Sequence, residues 1–293
     1  MEVFAGIADT RAYLAARRRG RRVVLVPTMG ALHEGHRACV EVARGAEGAL
    51  VVVSIFVNPT QFAPAEDFDR YPRPLQEDLA RCERWECDVA FTPDTAAMYP
   101  APQRVWVSVE GISTPLCGRS RPGHFRGVST VVAKLLSIVQ PDAAVFGQKD
   151  AQQSLVIREM VRQLGMPVEI LLARTARERD GLALSSRNAY LDRDGRERAP
   201  GIWRALSAAA DAIARGERRR TAIEETLRAA LAAGGIDGVE YAEVLCAEDL
   251  SALDAIEGRV ILAVAARVGK TRLIDNIVVE VTGARAEVDV PLF

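Results

Sequence analysis

The chain has 293 residues, 49% hydrophobic and 26% charged, with a formal net charge of −1. This composition fits a globular protein with room for one large domain or two ordinary ones. It lacks the basic field a nucleic-acid coat needs, has no stretch near the about 20 apolar residues of a membrane span, and shows no N-terminal signal-like apolar run.

The spacing predicts a first helix from near Ala8 into Arg17-Arg18-Arg19-Gly20-Arg21-Arg22. Gly20 suits the position just past a helix end, and cations suit the negative pole of the dipole, so the cluster reads as a helix terminus. Val23–Val26 predicts a strand, followed by a helix near His36–Arg44. The apolar run Leu50–Val57 predicts a strand buried on both faces. A helix near Leu75–Glu86 leads to the short strand Asp88–Phe91. Gly127–Val139 reads as a helix and Ala143–Phe146 as a strand. Asp150–Leu164 reads as a helix stopped by Gly165 and Pro167, and Val168–Leu172 as a strand. Such alternation implies a parallel sheet with helices on both faces, which binds ligands beyond the carboxyl ends of its strands. Pro27-Thr28-Met29, the segment after Val57 and the segment after Phe146 occupy such ends.

Composition shifts after Ala176. Ile202–Ala233 is alanine-rich and helical up to Gly234-Gly235, and Val239–Leu245, Arg259–Val268 and Ile274–Val281 read as strands of a smaller sheet. The expected domains are 1–176, an α/β doubly wound parallel sheet, and 177–293, a smaller α+β domain. The polar loop Asp180–Asn188 between them is suited to act as a lid. The five scattered cysteines, Cys39, Cys82, Cys87, Cys117 and Cys246, read as reduced thiols of a cytoplasmic protein.

Pro27-Thr28-Met29-Gly30-Ala31-Leu32-His33-Glu34-Gly35-His36 carries two of the three histidines. A strand that stops in a glycine turn and opens a helix makes an anion site, because the first helical N–H groups lack internal partners. His33 and His36, spaced i,i+3, would share one helix face and donate to phosphate oxygens. A zinc site has the wrong spacing for H-E-x-x-H and no evident third ligand. Only three of the 38 Lys and Arg residues are lysines, and one, Lys149, lies in Gly147-Gln148-Lys149-Asp150 at a strand-to-helix junction. Lys149 can neutralise a triphosphate, and Asp150 can accept from ribose hydroxyls. Ser185-Ser186-Arg187 offers two hydroxyls and a guanidinium, or merely a capped turn. Asn58, Gln61, Gln152 and Gln153 can orient a small polar substrate. Arg121–Gly127 reads as a loop that starts the following helix. Gly269-Lys270-Thr271 is not a P-loop, because Val264 stands where its first glycine belongs.

In order and spacing, Pro27–His36, Phe56–Phe62, Arg121–Gly127, Gly147–Asp150, Gln153 and Ser185–Asn188 together resemble the pantothenate synthetases, which join pantoate to β-alanine with ATP. The resemblance covers essentially the whole chain. It implies a Rossmann-type first domain, a homodimer in the cytoplasm, and a pantoyl adenylate made from Mg·ATP with release of pyrophosphate. It implies that Met29, Gly30, Ala31, Leu32, His33, Glu34, Gly35, His36, Gly147, Gln148, Lys149, Asp150, Ala176, Leu184, Ser185, Ser186 and Arg187 contact ATP, with His36 as proton donor. It makes His33, His36, Lys149, Ser185, Ser186 and Arg187 the catalytic set. Gln61 and Gln153, with Asn58, would hold the acid. Leu184, Ala176 and Thr60 depart from commoner family residues without removing a charged or proton-carrying group. H-x-G-H by itself also fits a nucleotidyltransferase acting on an alcohol or phosphate, or a nucleotide-binding protein without catalysis.

Overall fold

The structure, a computed structural model, describes residues 1–45, 48–64 and 66–293. In chain order the elements are β1 (Glu2–Phe4), α1 (Ile7–Arg17), β2 (Val23–Thr28), α2 (Glu34–Arg44), β3 (Leu50–Ile55), α3 (Leu75–Arg84), β4 (Val89–Phe91), α4 (Thr95–Met98), α5 (Cys117–Ser120), α6 (His124–Val139), β5 (Ala143–Gly147), α7 (Ala151–Gln163) and β6 (Glu169–Ala173). They continue with α8 (Arg193–Arg198), α9 (Gly201–Ala214), α10 (Arg220–Ala233), β7 (Gly238–Cys246), β8 (Gly258–Val268), β9 (Thr271–Thr282) and β10 (Arg285–Val288). The chain falls into two compact units. One holds Met1–Ser113, Arg121–Gly147 and Val156–Ala173; the other holds Thr114–Ser120, Gln148–Leu155 and Arg174–Phe293. Among the described residues no helix is long and apolar enough to cross a membrane.

The first unit is built on a six-stranded sheet ordered β1-β4-β3-β2-β5-β6, every pair parallel. The expected doubly wound α/β architecture is present. Alternation along β2 explains why both faces are covered, since successive side chains leave a strand on opposite sides. Val23 and Leu25 join Leu14 of α1 and Val128, Val132 and Leu135 of α6 in one core. Val24 and Val26 join Val40 and Ala43 of α2 and Cys82 of α3 in the other. Each such aliphatic side chain contributes about 1.5–3 kcal/mol when fully withdrawn from water. The basic cluster after α1 is engaged within the protein: Arg18 donates to Val139 O and Gln140 O, and Arg21 to Ala49 O and Asp88.

The strand order reverses between β2 and β5, so the sheet's switch point lies there. β2 runs beside β3 for six residues, from Val23↔Leu50 to Thr28↔Ile55, but beside β5 only at Val24 and Leu25. Pro27 belongs to the strand, which runs two residues past the expected Val26. Leu50 N donates to Arg22 O and Phe56 N to Thr28 O, so even-numbered residues of β2 face β3. Asp142 N donates to Val23 O, so odd-numbered ones face β5. The donor that Pro27 lacks would thus have pointed at β5, where pairing has already stopped, and the strand loses nothing by it.

The second unit carries an antiparallel sheet, β10-β9-β8-β7. Val260, Leu262, Val264 and Ala266 of β8 pack with Ala205, Leu206 and Ala209 of α9 and Ile223 and Leu227 of α10. The expected single helical stretch Ile202–Ala233 is two helices. Gly216 breaks it with φ +104, and in the link that follows Glu217 Oε1 accepts from Arg218 N (3.0 Å) and Arg219 N (2.9 Å). High alanine content on both sides hides that stop in the sequence. Two strands, β1 and β10, lie outside the sequence expectation. Glu2–Phe4 is mostly exposed at the sheet edge, and Arg285–Val288 alternates between exposed and half-buried, so neither carries much apolar signal.

Gly127 on α6 lies against the 3₁₀ turn Pro59–Gln61; a Cβ there would sit 2.3 Å from Thr60 O and 2.8 Å from Gln61 Cα. Gly127→Ala should therefore destabilise the fold by about 2 kcal/mol from forced backbone movement, outweighing the gain in helix propensity. Urea denaturation of the two proteins checks this; equal midpoints would contradict it.

Candidate active site

At the end of β2 the chain turns through Gly30 (φ +79) and Ala31 (φ +50). Thr28 Oγ1 donates to Ser54 O (2.7 Å) and accepts from Gly30 N (3.2 Å). The turn is held by Asp78 of α3, whose carboxylate accepts from Ala31 N (2.9 Å) and Leu32 N (2.7 Å), while Arg81 one helical turn on donates to Leu32 O. A Cβ on Gly30 would meet Asp78 Oδ2 at 2.8 Å, so glycine is needed for both φ and space. Burial raises the Asp78 pKa, and the two N–H groups oppose that by favouring the charged form. Sequence reasoning misses Asp78. Its signal is a lone carboxylate on the inward face of an amphipathic helix, and its partners lie 46 and 47 positions away.

His33 is not on the helix; it is the N-cap of α2, extended at φ −147, ψ 177. The two imidazoles cap reciprocally. His33 Nδ1 accepts from Gly35 N and His36 Nδ1 accepts from His33 N, both at 3.1 Å, and the rings lie 4.1 Å apart. A neutral imidazole that accepts at Nδ1 carries its proton on Nε2. Both rings are thereby set as Nε2–H donors at the positive pole of a helix. Glu34 is exposed and ion-paired with Arg37 (3.3 Å).

After β3, Asn58 is buried and satisfied within the protein. Its Nδ2 donates to Gln61 Oε1 (3.1 Å) and Gly127 O (3.2 Å), and its Oδ1 accepts from Tyr99 OH (2.8 Å) and Thr60 Oγ1 (3.0 Å). Gln61 Nε2 is directed to Met29 Sδ at 3.0 Å, which joins this turn to the end of β2. The Gln61 backbone is clamped too. Arg121 Nη1 can only donate, so His124 Nε2 accepts from it (3.1 Å) and His124 Nδ1–H donates to Gln61 O (2.9 Å). Arg121 is fixed in turn by Glu66 through two bonds of 2.7 and 2.5 Å. The loop expected at Arg121–Gly127 instead enters α6 at His124, and its motif residues grip Gln61.

In the second unit, the segment after β5 makes a 3₁₀ turn, Gln148–Asp150, that leads straight into α7. Gln148 is buried, its carboxamide donating to Val290 O (3.2 Å) and accepting from Leu292 N (3.3 Å). Gln152 is engaged by Pro115 O (2.7 Å) and Cys117 N (3.0 Å), which separates it from its half-buried neighbour Gln153. Ala176 O accepts from Leu184 N (2.9 Å), closing a short hairpin. Ser185 caps the 3₁₀ turn Ser186–Tyr190, its Oγ accepting from Arg187 N (3.3 Å). Lys149 and Ser185 line one hollow with Leu182, Ala183 and Trp203.

Within the first unit, then, Met29, Gly30, Ala31, Leu32, His33, Gly35, His36, Asn58 and Gln61 form one connected array. Within the second, the turn that follows Gly147 and the segment starting at Ser185 come together at Lys149 and Ser185. Among the described residues no three His, Cys, Asp or Glu side chains are grouped to hold a metal ion.

A family model described as pantoate-beta-alanine ligase matches residues 2–278. The pantothenate synthetase of Moorella thermoacetica is 50% identical over 96% of this chain and 99% of its own length. That of Acetivibrio thermocellus is 48% identical over 96% and 100%. Among solved structures, pantothenate synthetase from Thermus thermophilus superposes with TM-score 0.89 at 44% identity, covering 94% of this chain and 98% of that one. A pantoate-beta-alanine ligase from Francisella tularensis, crystallised with beta-gamma ATP and beta-alanine, superposes with TM-score 0.79 at 32% identity, covering 94% and 97%.

Asp78→Asn replaces one acceptor with a donor facing a buried N–H, so it should cost about 2 kcal/mol in denaturant titration; parent-like stability would contradict the contact. Partial burial pushes the Glu66 carboxyl up, but hydrogen bonding and charge from Arg121 override it and hold the group below the ordinary glutamate range. A depressed carboxylate stabilises above its unfolded pKa of about 4.3 and loses that contribution as pH falls through the folded value. Glu66→Gln should therefore flatten the fall in stability below about pH 4.3; identical acid limbs for both proteins would refute this.

Proposed function

The chain belongs to the pantoate–beta-alanine ligase family, and from that premise we propose that it activates pantoate as pantoyl adenylate before handing the acyl group to β-alanine. It is an ATP-dependent ligase of pantoate and β-alanine. In the first step a pantoate carboxylate oxygen attacks the α-phosphorus, the bond to the bridging oxygen breaks, and pyrophosphate departs. In the second, the β-alanine amine attacks the acyl carbon, AMP departs, and the amine's proton is released.

The observation that carries this reading is topological. β2 and β5 flank the switch point of the parallel sheet, and they end in Met29–His36 and Gly147–Asp150. Open α/β sheets bind their ligands outside the carboxyl ends of such strands. We assign His33 and His36, as Nε2–H donors, to the phosphate oxygens on which charge builds during adenylation. Lys149, the hydroxyls of Ser185 and Ser186, and Arg187 act on the same phosphates. The helix N-terminus at Glu34-Gly35 adds its dipole, the Gly35 N–H being already capped by His33 Nδ1. Asp150 serves the ribose, the Ala176 backbone the adenine, and Leu184 covers the nucleotide. Gln61 and Gln153 hold pantoate, with Asn58 fixing Gln61. Mg²⁺ arrives as Mg·ATP, part of the substrate. A homodimer in the cytoplasm completes the proposal, in keeping with the family resemblance and the five free cysteines.

Catalysis of this kind is mostly positioning and charge stabilisation, and loss of one donor costs about 3–4 kcal/mol in the barrier. His36→Ala or Lys149→Ala should lower pantoate-dependent exchange of labelled pyrophosphate into ATP at least about a hundredfold. Near-normal exchange by either variant would remove it from the mechanism. Run with a panel of acids, the same assay should respond to pantoate and not to amino acids. Exchange that required an alcohol or a phosphate would identify a nucleotidyltransferase instead.

A further inference from the structure

Leu273-Ile274-Asp275-Asn276, in the middle of β9, has no task in the scheme above. Asp275 and Asn276 are both buried at 5% exposure and pair with Val264 and Ala263 of β8. The Asn276 carboxamide directs its two N–H groups to consecutive backbone carbonyls, Gln148 O at 3.0 Å and Lys149 O at 2.8 Å. Its Oδ1 is buried without a protein partner. A buried carboxamide with one end unsatisfied is a poor contributor to stability compared with an apolar side chain, so its value lies in what its other end holds.

Its own backbone is clamped on both sides. Asp275 Oδ1 accepts from Asn276 N (2.8 Å), and Arg177 Nη2 donates to Asn276 O (3.3 Å). Arg177 also takes the Asp275 carboxylate in two bonds of 2.6 and 3.0 Å, and its guanidinium lies 3.6 Å from the centre of the Trp203 ring. Arg177 pairs with Ala183 in the short hairpin that precedes Ser185. One rigid pair of strands therefore holds the root of the Lys149 side chain, and the arginine that locks it also anchors the segment leading to Ser185.

We propose that Asn276 is a positioning residue for Lys149, kept in register by Asp275 and Arg177. This rests on Lys149 acting at the ATP phosphates. A lysine ammonium hangs on a flexible four-carbon stem, so its placement depends on the backbone it starts from, and displacement by about 1 Å can cost two orders of magnitude in rate.

The test is a double-mutant cycle read by pantoate-dependent ATP–pyrophosphate exchange. Asn276→Asp keeps the shape and replaces the donating NH₂ with oxygen facing two carbonyls. It should lower kcat at least about tenfold with KM for pantoate little changed, and lower it less than about twofold in a Lys149→Ala background. Asn276→Ser, which introduces no buried charge and is too short to reach the carbonyls, goes through the same cycle and decides the matter if Asn276→Asp melts early. Equal fold-losses in the two backgrounds, or full kcat in Asn276→Ser, overturn the proposal. A parent enzyme that shows no exchange with pantoate overturns the reaction assigned above, whatever Asn276 does.

Discussion

The turn after β2 depends on one constraint of the parallel sheet: β2 needs partners on both sides to be stable, yet its pairing with β5 ends three residues before its pairing with β3. Proline at position 27 reconciles the two. Its missing N–H lies on the β5 side, so pairing with β3 continues through Thr28 while pairing with β5 ends at Leu25. Beyond that point the backbone groups of the Gly30–Leu32 turn no longer have a ladder, and a buried N–H without a partner is costly. Asp78, on the helix that follows β3, supplies what the ladder cannot.

The same reasoning explains the histidines. A helix start leaves N–H groups unsatisfied, and the usual solution is a serine, threonine or aspartate cap. Here imidazole nitrogens do that work for each other, and a second property follows without further machinery. With Nδ1 engaged as acceptor, the proton must sit on Nε2. The bonds that cap the helix therefore leave each neutral ring its Nε2–H as a hydrogen-bond donor.

How much of this can be read from residues alone follows the range of the interactions. The central strands and their helices are legible because Val23–Val26 and Leu50–Val53 are apolar without interruption, as strands buried on both faces are. The candidate phosphate-binding elements are legible because glycine, histidine and lysine cluster locally in the chain. Position 33 is misread as part of the helix face, since i,i+3 spacing does not distinguish a cap from a first-turn residue. Asp78, the Arg121–His124–Glu66 grip on Gln61, and the division of labour between Gln152 and Gln153 stay invisible, because each is defined by a partner tens of residues away. The break at Gly216 is hidden by alanine on both flanks.

The stack of Arg177 on Trp203 has an optical consequence. Gly181, in the hairpin closed by Ala176 and Leu184, comes so near the indole that a Cβ there would lie 2.0 Å from Trp203 Cδ1. Any displacement of that hairpin changes the polarity and quenching felt by this fluorophore. The other two tryptophans, Trp85 and Trp106, belong to the first unit. With both replaced by phenylalanine, emission from a single native chromophore reports on the segment carrying Ser185, Ser186 and Arg187, with no dye attached.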